Sequence, residues 1–142
     1  MPRYPVYFFL EDISYTVKNK IKLRKWLYHT INSEGKRLAE LNFIFCSDDY
    51  LLSINQQYLK HDTYTDIITF DNSENSHDIA GDIFISIDRV KENALELKVE
   101  FSDELDRVII HGVLHLLGFT DKSASQSRVM REKEDAYLSL RA

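Results

Sequence analysis

The sequence predicts one α+β domain, and three observations carry that prediction. Its 142 residues are enough for one core of ordinary size. Short runs of branched and aromatic residues alternate with stretches of helical periodicity as far as Ser86, and the chain beyond is helical. Only four Gly and two Pro interrupt a chain that is 44% hydrophobic and 29% charged, the balance of a folded globular protein. No internal repeat or low-complexity segment divides it, so residues 1–142 are read as a single domain.

The elements follow in order. Val6 to Leu10 is a short apolar run, expected to be a strand buried on both faces. From about Leu23 the spacing of Leu23, Trp26, Leu27 and Ile31 is helical, and Gly35 ends it. Leu41 to Cys46 is a second strand. Ser47 then caps a helix that begins with Asp48 and Asp49 and continues through Leu51, Leu52, Ile54 and Tyr58. Asp66 to Phe70 and Ile79 to Ser86 are two further strands, expected to pair antiparallel across the polar stretch 71–78. Asp88 to Leu97 is a helix with Val90, Ala94 and Leu97 inward. Ser102 is expected to cap the next one. Ser123 to Leu140 is the last helix, with Val129, Met130, Ala136, Tyr137 and Leu140 as its apolar side.

The penultimate helix carries the chemistry. Its residues Leu105, Val108, Ile109, Ile110, Val113, Leu114, Leu116 and Leu117 place apolar groups nearly all round, so it is a buried helix. His111 and His115 stand four positions apart on one face of it, the spacing of a chelate. Gly118 can adopt the left-handed conformation that ends a helix, which turns Asp121 back as a third ligand. Two imidazoles and a carboxylate with one open position form a catalytic zinc arrangement, so one Zn2+ per chain is expected on His111, His115 and Asp121. The position after His111, which in zinc proteases of the HExxH type holds the general base, is Gly112. The base of a hydrolase therefore lies elsewhere or is a water on the metal. Lys60 and His61 are the weak side-chain candidates, and His77 is a second loop histidine that can be tried as a ligand. His29 reads as a surface residue. Asp82, unusual inside a strand, is either solvated or bonded to loop amides or to a histidine beside the metal.

Composition excludes several alternatives. Cys46, the only cysteine, permits no internal disulfide and reads as an apolar filler in a strand. No glycine-rich phosphate loop and no GxSxG setting occurs. No signal region and no membrane-length apolar run is seen, and a cytoplasmic protein without a membrane partner is expected. The net charge of −5 conceals an asymmetry. Residues 1–46 hold eight Lys/Arg against four Asp/Glu, with Lys18, Lys20, Lys22, Arg24 and Lys25 close together. This cluster is either an ordinary solvated face or a footprint for phosphate.

With these pieces placed, the sequence resembles the YbeY family of metal-dependent endoribonucleases. The run His111-Gly112-Val113-Leu114-His115-Leu116-Leu117-Gly118-Phe119 agrees with the family motif throughout. Asn55-Gln56-Gln57-Tyr58, Asp62, Thr65-Asp66-Ile67-Ile68-Thr69-Phe70 and Gly81-Asp82-Ile83-Phe84-Ile85-Ser86 match further blocks in the expected order. The resemblance implies an α+β fold with a four-stranded mixed sheet packed with about five helices, a pocket over the metal and a cytoplasmic location. It also implies a role in maturing the 3′ end of the small-subunit (16S) ribosomal RNA and in ribosome quality control. The partners it implies are single-stranded RNA and the small ribosomal subunit or its proteins, without DNA. Two positions depart from the pattern: Asp121 stands where the family normally has a third histidine, and Leu59 where it usually has an arginine. A ribosome-assembly factor with a structural metal and little catalysis is the alternative. A peptidase is the third reading, which the missing glutamate after His111 disfavours.

Overall fold

A computed structural model describes residues 4–59 and 65–141. Its elements are β1 (Val6–Leu10), α1 (Lys20–Ser33), β2 (Arg37–Cys46), α2 (Asp48–Leu59), β3 (Ile67–Asp71), β4 (Asp78–Ser86), α3 (Ile87–Leu97), α4 (Phe101–Leu116) and α5 (Ala124–Leu138). The strands form one mixed sheet in the order β1-β2-β4-β3. β1 and β4 both run parallel to β2, whereas β3 pairs antiparallel with β4, Thr69 opposite Ile83. The expected α+β architecture, with four strands and five helices, is therefore the observed one.

Alternation along the strands assigns the two sheet faces. Leu41, Phe43 and Phe45 of β2 and Ile79, Ile83 and Ile85 of β4 enter the main core, where they meet Leu27 and Ile31 of α1 and the apolar faces of α4. α2 covers the opposite face, Leu51 packing beside Cys46 and Ile68. Cys46 is the inert filler expected of it, since burial, with the charges of Asp12 and Asp88, pushes its thiol up to about 12.

Several sequence expectations are corrected. β1 is an edge strand with Tyr7 and Phe9 46% and 49% exposed, so it is not buried on both faces. An edge strand has one neighbour and one covered side, which its hydrophobicity alone does not reveal. α4 begins at Phe101 with Glu100 as its N-cap residue, and Ser102 lies inside the helix instead of capping it. Leu97, Val129 and Leu140 are exposed, and the buried side of α5 is Met130, Glu134 and Tyr137. Ser47 caps as read, its Oγ accepting from the Tyr50 amide, while Ser123, expected as the first residue of the last helix, is its N-cap, with Oγ accepting from the Gln126 amide.

Two glycines seat α4 on the sheet. A Cβ on Gly81 would stand 2.6 Å from the Phe70 carbonyl oxygen and 2.9 Å from Leu116 Cδ1; one on Gly112 would stand 2.8 Å from Ile67 Cδ1 and 3.2 Å from Ile83 Cγ2. Close approach of the helix to β3 and β4 thus requires hydrogen at both positions. No helix among the described residues is long and apolar enough to cross a membrane.

Candidate metal centre

α4 ends as its sequence dictates. Gly118 has φ of +106°, its amide donates to His115 O, and the Phe119 amide donates to Leu114 O. This paired closure turns the chain back at a glycine, and Asp121 follows three residues later. The turn brings Asp121 Oδ2 to 3.8 Å from His111 Nε2.

His111 is half-buried and oriented from behind. Its Nδ1 lies 2.7 Å from Oε2 of Glu134 on α5. An ionised carboxylate only accepts, so Nδ1 carries the proton and the Nε2 lone pair is directed toward Asp121. Glu134 is only 6% exposed, and its other oxygen accepts from Arg107 Nη1 at 2.8 Å. Arg107 Nη2 in turn donates to Asp135 at 2.7 Å. Burial pushes the Glu134 carboxyl up, but the hydrogen bonds from His111 and Arg107 outweigh it and hold the group below the usual carboxylate range. The bond to Glu134 raises the His111 imidazole against the opposing effect of burial, assisted by the charges of Asp121 and Asp66.

The donor set suits a cation. An imidazole whose far nitrogen is tied to a carboxylate is the common arrangement behind a metal-bound histidine. Two ligands on a tetrahedral zinc stand about 3.4 Å apart, near the observed His111 to Asp121 separation, which is too long for a direct hydrogen bond. His115, one turn further along α4, is exposed. Among the described residues no three His, Cys, Asp or Glu side chains converge closely enough to hold an ion by themselves. The structure therefore brings together His111 and Asp121 of the expected triad.

These groups border a cavity of about 410 Å3 whose wall also includes Asp66, Glu104, Arg107 and Arg131. Burial raises the Asp66 and Glu104 carboxyls above their ordinary range, Glu104 being raised further by Asp66. Gly112, against Ile67 and Ile83, leaves no room for a general-base side chain after His111. Of the other residues singled out from sequence, Lys60, His61 and Asp62 lie outside the described residues. His77 is exposed ahead of β4 and borders no part of this cavity. His29 is a surface residue beside Tyr28. Asp82 accepts from Asn42 Nδ2 of the neighbouring strand at 3.0 Å, so its partner is a side-chain amide and neither a loop amide nor a histidine.

Glu134 and Arg107 were not read from the sequence. A signal existed, because Met130, Glu134 and Tyr137 share the i, i+4, i+7 stripe of α5 and place a carboxylate on its core side.

Residues 10–141 match the family model described as Endoribonuclease YbeY. The chain belongs to the YbeY family. A protein named Endoribonuclease YbeY from Cytophaga hutchinsonii is 53% identical over 136 residues, spanning 96% of this chain and 95% of its own length. The same-named protein of Flavobacterium psychrophilum is 51% identical over 91% of both chains. The fold is also similar to the solution structure of TM1509 from Thermotoga maritima, with a TM-score of 0.68, 29% identity and coverage of 96% of this chain and 88% of that one. This YbeY chain thus matches its relatives along nearly its whole length, the strand β3, the helix α4 and the carboxylate-bearing α5 included.

Proposed function

We propose that this protein is a zinc-dependent endoribonuclease that cleaves single-stranded RNA and acts in the cytoplasm, in 3′-end maturation of small-subunit ribosomal RNA and in ribosome quality control. Membership of the endoribonuclease YbeY family supports RNA hydrolysis. The observation that carries the chemistry is His111, buried behind by Glu134 and presenting Nε2 to Asp121 at the rim of a polar cavity.

His111 and Asp121, which the fold brings together, would hold the ion, and His115, exposed one turn further along α4, is the third ligand that the sequence spacing offers. Zinc bound there supplies Lewis-acid polarisation of a phosphodiester. The chain's own residues do the rest. Glu134 fixes the imidazole tautomer and ring plane, and Arg107 keeps Glu134 ionised in a site where a lone buried carboxylate would take up a proton. Arg131 borders the same cavity with its side chain 63% exposed, and so offers a cation to a phosphate entering from solvent. Leu59, 42% exposed at the end of α2, cannot supply the charge of the arginine that the family usually has at that position.

The deciding experiment compares the zinc-loaded protein with a His111→Ala/His115→Ala form on single-stranded RNA. The parent is expected to cut and to carry about one zinc by elemental analysis, and the double variant to do neither. Equal cleavage by both would sink the reading. Leu59 also favours a second one, a ribosome-assembly factor that binds RNA with little hydrolysis. RNA binding without cleavage by the fully zinc-loaded parent would select it.

A further inference from the structure

On the flank of α4 opposite the His111 cavity lies a second, larger cleft of about 730 Å3, and the two share no lining residue. Leu105, Asp106 and Ile109 of α4 border it, while Glu104, Arg107, Val108 and His111 face the other way. Its size is that of a ligand site. Residues 14–19, between β1 and α1, form one wall, pinned there by Tyr15, whose ring stands edge-on to Phe45 at 5.7 Å and to Phe101 at 6.0 Å. Trp26, the only tryptophan of the chain, forms part of the floor, its indole N–H occupied by the Tyr137 carbonyl.

The charge on the rim is unbalanced. Lys18, Lys22 and Lys91 border the cleft and are exposed, and among the described residues their ammonium groups enter no ion pair or hydrogen bond. The single arginine there, Arg141, is shared between Asp103 and Asp106, so one carboxylate charge stays uncompensated against the three lysines and the rim is positive. The basic cluster of the N-terminal third therefore divides. Arg24 is structural, donating to the Val6 carbonyl and lying 5.2 Å over the Phe8 ring, whereas Lys18 and Lys22 are turned to the cleft.

We propose that this cleft is a binding site for a segment of single-stranded RNA distant from the metal centre, with backbone phosphates on Lys18, Lys22 and Lys91 and a base against the Tyr15 and Phe101 rings. Unpaired lysines beside aromatic faces are the combination that holds single strands without reading their sequence. The cleft and the metal centre are both built on α4, Ser102 and His111 being separated by about 14 Å of its axis. The assignment rests on RNA as the protein's substrate for the identity of the strand.

Titrating the full chain, kept metal-free with chelator, with a short single-stranded oligoadenylate tests the proposal through the emission of Trp26. Saturable quenching is expected. In Lys18→Ala/Lys22→Ala/Lys91→Ala the affinity should fall at least roughly tenfold, and the slope of log affinity against log salt should drop by about 2. Lys20→Ala/Lys25→Ala/Lys36→Ala, which removes the same charge outside the cleft, should change affinity by less than roughly threefold. No Trp26 response, or equal losses in the two triple variants, overturns the proposal, as does polyglutamate displacing the oligonucleotide at equal charge. Loss of RNA cleavage by the zinc-loaded parent, with cleft-dependent quenching intact, would refute the enzymatic reading and leave the cleft standing.

Discussion

The two flanks of α4 are built on opposite electrostatic principles. Around His111 the charges are spent on one another: Arg107 serves Glu134 and Asp135, and Glu134 serves Arg107 and His111. Around the N-terminal end of the same helix three lysine ammonium groups have no partner among the described residues. A closed network has little freedom to rearrange and holds one nitrogen in one direction, which suits an ion with demanding geometry. Free lysines on flexible stems hold no fixed direction but act over about 8 to 10 Å at ordinary salt, which suits a long, mobile polyanion. One helix can serve both because its apolar residues belong to the core on every side and its polar ones divide between the flanks.

The comparison is sharpened most by removing the carboxylate at the turn. Asp121→Ala should lower zinc affinity by more than about 100-fold, since deleting a ligand costs more than deleting a group behind one. Asp121→His should restore most of it, because the turn at Gly118 presents either side chain to the ion. Competition against a zinc chelator measures both, and parent-like affinity in Asp121→Ala would place the third ligand elsewhere.

Glu134→Gln comes next. The substitution keeps the shape of the side chain and removes the charge that fixes His111, so zinc affinity should fall roughly 10- to 100-fold. Stability should fall as well, by up to about 3 kcal/mol in urea unfolding, because Arg107 then faces a neutral partner. Oligoadenylate quenching of Trp26 should stay as in the parent. A change there would show that the flanks are coupled.

Gly81→Ala probes the seat that both flanks share. The new methyl would meet the Phe70 carbonyl oxygen, which belongs to the sheet backbone and cannot rotate away. A loss of about 1–3 kcal/mol in chemical denaturation is expected. Parent-like stability would mean that β3 or α4 yields more readily than a close-packed seat should.

The smallest effect concerns a tie between α1 and α5 that touches neither cavity wall directly. Glu34, at the end of α1, accepts from Tyr137 and from Lys133 Nζ of α5. Burial pushes its carboxyl up, but those two hydrogen bonds and the Lys133 charge hold it below its ordinary value. A depressed carboxyl stabilises the fold above its unfolded-state value, and the contribution disappears as pH falls through the folded one. Thermal unfolding should therefore show a steeper loss of stability below about pH 4.5 in the parent than in Glu34→Gln, by roughly 1 kcal/mol or less for this partly exposed group. Superimposable pH profiles would remove Glu34 from the account.

Much of this protein could be read from its residues alone, because the relevant signals are local. Periodicity distinguishes α4 from its neighbouring strands, a glycine after the last apolar position ends it, and a spacing of four positions from His111 to His115 puts them on one face whatever the rest of the chain does. Family motifs spread over separate blocks fixed the fold for the same reason. What only the tertiary structure decided involves partners far apart in sequence. The exposure of β1 depends on its having a single neighbour. Glu134 meets His111 across 23 residues because α5 packs on α4. The division of the basic cluster depends on where Arg24 and Lys22 sit against Phe8 and the cleft. A sequence states which groups share a helix face, but the partner that desolvates or neutralises them is chosen by packing, and that partner sets whether a charge is spent in the fold or left for a ligand.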